Sequence, residues 1–240
     1  IDKTIFILIL FLFSLGLFFS LASTSLIASD KLETNTYFFF FKHLAYILLG
    51  IAILIFFSSL NEKNLFRLSI FLFFISVVLL LLVPLIGTEV KGAKRWLNLF
   101  FLPRFQPIEL VKPFTIIFLA SILSSEKSTH IYYKYFLSFI AIVPICFLLM
   151  IQPDIGQSLL LLSTWFVMLF LSGINLILLL LFVIFSLILV FLLIFLFPEK
   201  FGYILFRLKS FISPLEAGNN QSDKALESII NGGFLGQGIG

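Results

Sequence analysis

Four basic side chains lie close together between two apolar segments of the chain: Lys91, Lys94, Arg95 and Lys112. Arginine offers a planar fork of donors that matches phosphate oxygens, and lysine offers a compact point charge. Because charged groups beside apolar helices are costly unless they serve a partner or a water-filled cavity, the cluster indicates an anion-binding site. The alternative is that these are ordinary loop residues whose long side chains reach lipid headgroups, and the residue types alone favour neither interpretation.

Gln106 and Glu109 precede Lys112 in the same stretch, and we count both as candidate substrate-binding residues. Glu109 and Lys112 are three positions apart, so they share a face if this stretch is helical. A pair at that spacing can simply stabilise its own helix. It can also orient the lysine toward a bound anion, and both interpretations stay open.

A second polar group interrupts the apolar sequence further along and consists of Gln152, Pro153, Asp154 and Gly156. Proline and aspartate are typical of tight turns, and aspartate is a favoured residue immediately before a helix. We therefore interpret the group as a structural turn in which Asp154 caps the following helix.

The sequence gives little support for a metal site or for a catalytic nucleophile. His43, His130 and Cys146 are isolated, and no pair of residues has the spacing of metal ligands. We therefore predict no metal site and no resident cofactor, although a divalent cation could accompany an anionic substrate. No Ser/His/Asp set is visible either.

The composition decides the class of protein. Of 240 residues, 61% are hydrophobic and only 12% are charged, whereas globular domains carry about 25% charged residues. This excludes a soluble enzyme, a disordered chain and a nucleic-acid binder, and one cysteine excludes a disulfide framework. Since the apolar runs are continuous and do not alternate, we predict an all-α polytopic membrane protein.

Seven segments are apolar enough to predict membrane helices, which need about 20 residues each. They are residues 4–29, 44–61, 68–88, 107–125, 135–153 and two helices within 155–198, separated by a turn at 172–175. The fourth is long enough only if it begins near Pro107, because proline is accepted in a first helical turn. The transmembrane domain is thus residues 1–198, with a loop at 87–109.

Residues 199–240 begin a more polar segment. Apolar residues at helical spacing over 201–212 predict a short helix on the membrane surface. A second helix is expected over 223–230, and the glycines that follow predict a flexible turn.

Taken in order, these motifs resemble those of the SEDS family (shape, elongation, division and sporulation), the FtsW/RodA type of membrane glycosyltransferase. Residues 91–98 and 106–110 look like its K-G-A-x-R-W-I and Q-P-S-E-L signatures, and 152–156 look like Q-P-D-L-G. Residues 207–214 fall where the family has R-x-x-x-F-x-x-P, and 232–240 resemble G-G-x-x-G-x-G-x-G. The sequence before the glycines is closest to the division-type members.

The resemblance implies a fold of ten transmembrane helices with both termini cytoplasmic, so residues 87–109 and 199–240 are expected outside. Counting basic residues alone would favour the opposite orientation. The implied activity is polymerisation of lipid II, a disaccharide-peptide on undecaprenyl pyrophosphate, into glycan strands during septal wall synthesis. The implied place is the division septum of the bacterial inner membrane, beside a class B penicillin-binding transpeptidase and other divisome proteins.

The resemblance also assigns roles to residues. Arg95 and Lys112 would contact the pyrophosphate leaving group, and Glu109 would orient Lys112. The family's general base is an aspartate in a Y-L-P-E-A-H-T-D-F motif after the glycine turn, which these 240 residues do not contain. We therefore expect a sequence truncated before helices eight to ten, with no catalytic residue and no activity by itself. The alternatives are a lipid II translocator and a non-enzymatic divisome scaffold.

Overall fold

The computed structural model describes residues 2–23, 37–90, 93–99, 103–124, 131–212, 220–233 and 236. Within these residues the chain forms nine α-helices and one β-hairpin, so the predicted all-α membrane architecture is confirmed with a small hairpin added. In chain order the elements are α1 (Lys3–Ser23), α2 (Phe38–Ser59), α3 (Glu62–Ile86), β1 (Thr88–Val90), β2 (Ala93–Trp96), α4 (Pro107–Leu123), α5 (Ile131–Ile151), α6 (Ile155–Leu171), α7 (Leu176–Leu196), α8 (Pro198–Ile212) and α9 (Asn220–Gly232).

The first seven helices coincide with the seven predicted apolar segments. Among the described residues, α1, α2, α3, α5 and α7 are long and apolar enough to cross a membrane. Helices α4 and α6 have 17 residues each, which is about 26 Å at 1.5 Å per residue, against a hydrocarbon core of about 30 Å. The number of complete spans is therefore only approximately the predicted seven.

The helix boundaries depart from the apolar runs mainly where charged residues adjoin them. Helix α2 begins at Phe38 rather than at residue 44, and α3 begins at Glu62 rather than at residue 68. The backbone continues its helical hydrogen bonding past the apolar run, because long charged side chains can extend away from it toward water. Helix α4 begins at Pro107, as predicted.

Two compact units make up the chain. The first comprises Ile1–Glu62 and Gly218–Gly240, and the second comprises Lys63–Ala217. In the first unit α1 packs against α2, with Gly16 beside the imidazole of His43 at a distance where a methyl group would make an ordinary van der Waals contact. A Cβ atom at Gly16 would lie 3.7 Å from His43 Cε1.

The core of the second unit lies among α3, α4, α5 and α6. Trp165 is fully buried, and its indole Nε1 donates a hydrogen bond to Ser138 Oγ at 3.0 Å. Phe73 of α3 stacks on Phe118 of α4 with ring centroids 4.3 Å apart. Because lipid is as apolar as leucine, close packing and such interhelical hydrogen bonds hold membrane helices together.

The connection predicted as a loop at 87–109 contains two short paired strands, which were not predicted from the sequence. Strands β1 and β2 pair in antiparallel fashion, with Glu89 opposite Lys94, and Leu97 and Phe105 exchange backbone hydrogen bonds of 2.9 and 3.1 Å. The strands are too short to show a clear alternation in the sequence. Gly87 makes the tight entry possible, since a Cβ atom there would lie 2.3 Å from the carbonyl oxygen of Val83.

Candidate functional site

Arg95 ties the hairpin to the turn between α5 and α6. Its Nε donates to the carbonyl oxygen of Gln152 at 3.3 Å, and its Nη2 donates to the carbonyl oxygen of Pro153. Its Nη1 lies 3.8 Å from Asp154 Oδ1. The planar donor fork that suits phosphate oxygens is thus engaged with protein oxygens, so the hairpin is fixed against the turn.

Asp154 occupies the position before α6, but its side chain accepts no capping hydrogen bond. The predicted side-chain cap is therefore wrong. Its carboxylate is only 13% exposed and faces Arg95 instead. The guanidinium of Arg95 supplies an opposite charge at 3.8 Å, and opposite charges attract more strongly at partly buried sites than in bulk water.

The side chain of Gln152 replaces a hydrogen bond that Pro84 removes from α3. Pro84 lies inside α3 and has no N–H, so the carbonyl of Leu80, four residues earlier, lacks its helical donor. The Nε2 of Gln152 donates to that carbonyl at 3.3 Å, and Gln152 is 4% exposed. An unpaired carbonyl inside a membrane is costly, so this bond connects the turn firmly to α3.

Tyr203 connects α8 to the same turn. Its hydroxyl donates to the carbonyl oxygen of Met150 at 2.8 Å, and that carbonyl is one of the last in α5, where helical donors run out. Burial raises the pKa of Tyr203 above its usual value, the positive charges of Arg207 and Arg95 lower it, and Asp154 raises it further. The charges of Arg207, Arg95 and Asp154 are therefore all close enough to Tyr203 to affect its pKa.

We call Arg95, Gln152, Pro153, Asp154 and Tyr203 the turn junction. It joins β2, α3, α5, α6 and α8 at one end of the second unit. The first four residues were candidates from the sequence alone, whereas Tyr203 and the carbonyl of Leu80 were not. The available signal was Pro84 within the apolar segment of α3, because a proline leaves the carbonyl four residues earlier, here that of Leu80, without its helical donor.

A cavity of about 280 Å³ opens beside the turn junction. Its lining combines apolar and charged side chains and consists of Pro84, Glu89, Lys94, Ile151, Gln152 and Pro153. Lys94 is exposed, and its strand partner across the hairpin is Glu89. The arrangement places a cation at the mouth of a partly apolar cavity, which suits an anionic group attached to an apolar or sugar moiety.

Lys112 lies in the first turns of α4 and pairs with its own helix. Its Nζ is 2.7 Å from Oε2 of Glu109, and the two side chains are 21% and 56% exposed. Gln106 immediately precedes α4 and makes no side-chain capping bond. Lys91, the remaining predicted cation, lies outside the described residues, and its role stays a prediction.

Among the residues that the structure describes, no group of three or more His, Cys, Asp or Glu side chains is placed to hold a metal ion. Cys146 is buried within α5.

Comparison with known proteins gives matches along the whole chain. The model of the FtsW/RodA/SpoVE family, described as cell cycle proteins, matches residues 2–240. The probable peptidoglycan glycosyltransferase FtsW of Buchnera aphidicola is 35% identical over 248 residues, which cover 100% of this chain and 60% of that protein. The protein of the same name from Coxiella burnetii is 35% identical over 249 residues, covering 100% and 64%.

Solved structures show the same architecture. The rod shape determining protein RodA of Thermus thermophilus is 28% identical with a TM-score of 0.62, covering 78% of this chain and 58% of that one. A chain from a peptidoglycan synthase complex, studied for the coordination of polymerization and crosslinking, is 26% identical with a TM-score of 0.68 and coverages of 94% and 64%. The chain therefore spans about 60% of the length of each of these four proteins.

Proposed function

The chain belongs to the FtsW/RodA/SpoVE family of cell cycle proteins, and we propose that it forms the lipid-II-binding part of a peptidoglycan glycosyltransferase. The reaction would polymerise lipid II into glycan strands during septal wall synthesis. Two relatives that are 35% identical carry the name probable peptidoglycan glycosyltransferase FtsW. The structural observation that carries the proposal is the cavity beside the turn junction, with Lys94 in its lining.

The chemistry that this end of the protein would supply is stabilisation of a leaving group. Transfer of the glycan releases an undecaprenyl pyrophosphate, and fixed positive charges at developing negative charge lower the barrier in a site of low dielectric constant. Lys94 and Lys112 are the cations that we assign to the pyrophosphate. Glu109 holds the Lys112 ammonium group at 2.7 Å and so restricts its orientation.

Arg95 takes a different place in this proposal. Its guanidinium is engaged with the turn junction, so direct contact with the pyrophosphate requires it to exchange protein oxygens for phosphate oxygens. Without that exchange it acts as a positioning residue, because it anchors the strand that carries Lys94. The general base is not assigned to any residue of this chain.

The surroundings proposed for the protein follow from the same family. We place it in the bacterial inner membrane at the division septum, with the hairpin, the turn junction and α8 on the outer side where lipid II is polymerised. A class B penicillin-binding transpeptidase is the proposed partner, together with other divisome proteins. The similarity to a chain of a peptidoglycan synthase complex supports this partnership.

Polymerisation of fluorescent lipid II in proteoliposomes tests the proposal with protein made from the complete reading frame. Removal of one electrostatic stabiliser typically lowers a rate by about a hundredfold or more, and we expect losses of that order for Lys94→Ala and Lys112→Ala. Lys63→Ala is the matched control, because Lys63 is exposed in the first turn of α3, at the opposite end of that helix. Normal polymerisation in both variants would contradict the pyrophosphate assignment.

The same vesicles separate the proposed enzyme from the two alternatives given by the sequence. Transfer of labelled lipid II between leaflets without polymer formation would favour a translocator. Neither transfer nor polymer, with retained binding of the transpeptidase, would favour a scaffold.

A further inference from the structure

Helix α8 has one apolar stripe whose two halves have different surroundings. Phe201 and Ile204 in the first half are 3% and 6% exposed. Leu205, Leu208 and Ile212 continue the stripe at helical spacing and are 46%, 53% and 77% exposed. The first half is therefore covered by protein, and the second half projects beyond it.

The depth of α8 is set by the helices against which its first half packs. Phe201 and Ile204 form a cluster with Met150 near the end of α5, and this cluster packs against Val190, Leu193 and Ile194 of α7. Helix α7 spans the membrane and ends at Leu196, so Val190 lies about 9 Å below that end at 1.5 Å per residue.

That contact places α8 beside the last turns of a membrane span rather than above the membrane. Only Phe197 separates α7 from α8, which leaves no length of chain to lift α8 into water. Amphipathic helices at membrane surfaces lie about 5–10 Å into the boundary between headgroups and acyl chains. The medium around the uncovered half of the stripe is therefore this boundary.

The charges on α8 complement such a location. Arg207 and Lys209 are both exposed and are adjacent to Leu208 in the sequence, one on each side. Since successive helical residues are about 100° apart, the two cations flank the stripe on opposite sides. Their apolar stems can follow the stripe while the charged ends reach lipid phosphates.

We propose that the second half of α8 docks on the bilayer surface. Leu205, Leu208 and Ile212 lie at the acyl boundary, and Arg207 and Lys209 contact the phosphate groups of phospholipids. Because Tyr203 on the same helix bonds the carbonyl of Met150, this docking fixes the height of the turn junction relative to the lipid headgroups. The proposal concerns phospholipid and is independent of the glycosyltransferase assignment.

Spin labelling of the full-length protein in vesicles tests the docking. In a Cys146→Ala background, which removes the one cysteine of these 240 residues, any cysteine elsewhere in the full-length protein is also replaced by alanine, and labels are placed at Leu208→Cys and at Glu199→Cys. Glu199 is the matched control because it is exposed on the opposite face of α8. We expect oxygen to reach the label at position 208 and a water-soluble nickel chelate to be excluded from it. At position 199 we expect the nickel chelate to reach the label and oxygen to reach it less.

Two results at position 208 would overturn the proposal. Equal access of the nickel chelate to both labels would show that the stripe faces water. Protection of the label from both oxygen and nickel would show that protein covers the stripe.

A second measurement tests the contact with phosphates. Adding anionic phosphatidylglycerol to phosphatidylcholine vesicles is expected to shift the label at position 208 deeper, because each cation near an anionic surface is attracted to it. The double variant Arg207→Gln, Lys209→Gln should lose that shift. Persistence of the full shift in the double variant would contradict the role of these two cations.

Discussion

Two ion pairs at the same end of the second unit have opposite characters. Arg95 and Asp154 come from separate elements, are 26% and 13% exposed, and share a network with two backbone carbonyls. Glu109 and Lys112 are three positions apart on one helix and are 56% and 21% exposed. A network between distant elements stabilises a fold, whereas a pair three positions apart on one helix contributes only a few tenths of a kcal/mol. The difference indicates that Arg95 builds the site and that Lys112 remains available to a ligand.

The largest effect on stability is expected for Arg95→Ala. The substitution removes the guanidinium from two carbonyls and leaves Asp154 half-buried without its partner. Hydrogen bonds to charged groups contribute about 1.5–3 kcal/mol each, so we expect the free energy of unfolding in detergent micelles to fall by at least about 2 kcal/mol. Lys94→Ala, in the same strand but exposed, is the control and should stay within about 0.5 kcal/mol. Equal losses of unfolding free energy in Arg95→Ala and Lys94→Ala would show that the contacts of Arg95 have no special role in stabilising the fold.

A double-mutant cycle tests the bond between Gln152 and Leu80. Gln152→Ala leaves the Leu80 carbonyl without a donor inside the membrane and should cost about 1 kcal/mol of unfolding free energy. Pro84→Ala restores a backbone N–H four residues after Leu80, so Gln152→Ala should cost almost nothing in that background. If the two substitutions are simply additive, the carbonyl left by the proline is not what Gln152 serves.

Tyr203→Phe removes one hydroxyl from the turn junction and should cost about 1 kcal/mol. The pKa of Tyr203 is raised, chiefly by burial. The unfolded chain therefore loses this proton first, and the stability from the neutral phenol is complete below about pH 10 and declines as the pH rises above that value.

Unfolding measured across that range should show a smaller decline in Tyr203→Phe than in the parent protein. Tyr133→Phe, at a tyrosine of α5 that is 58% exposed, is the control and should leave the decline unchanged. A parent-like decline in Tyr203→Phe would assign the pH dependence to another group.

The smallest effect on stability is expected for Lys112→Gln. It breaks a local pair within one helix, which should lower the unfolding free energy by only about 0.3 kcal/mol. Loss of lipid II polymerisation at that unchanged stability would sharpen the contrast with Arg95→Ala, in which both should fall. A large loss of stability would show that Lys112 also has a structural role.

Much of the fold follows from local sequence. Continuous apolar runs of about 20 residues specify membrane helices wherever they occur, because an unpaired backbone cannot remain in lipid. That reasoning located all seven apolar helices and the start of α4 at Pro107. It was less accurate at the first turns of α2 and α3, where charged residues extend helices past the apolar run.

The candidate site was only partly predictable, because local sequence shows charged residues but not their distant partners. The sequence identified Arg95, Lys112 and Asp154 as candidates, since charges beside apolar segments are conspicuous. The spacing of Glu109 and Lys112 indicated their pair correctly, but nothing in the sequence paired Arg95 with Asp154. Local rules favoured a helix cap for Asp154, but the carboxylate lies opposite a guanidinium from a strand that is distant in sequence.

The sequence by itself therefore determined the class of protein, the positions of its helices and the family to which its motifs belong. Only the tertiary structure decided which cation joins distant elements and which pairs within its own helix. The decisive contacts join Arg95 to Gln152, Gln152 to Leu80 and Tyr203 to Met150, which are separated by 57, 72 and 53 positions. Helix formation depends on neighbours within one or two turns, whereas these bonds exist only after packing brings distant carbonyls and donors together.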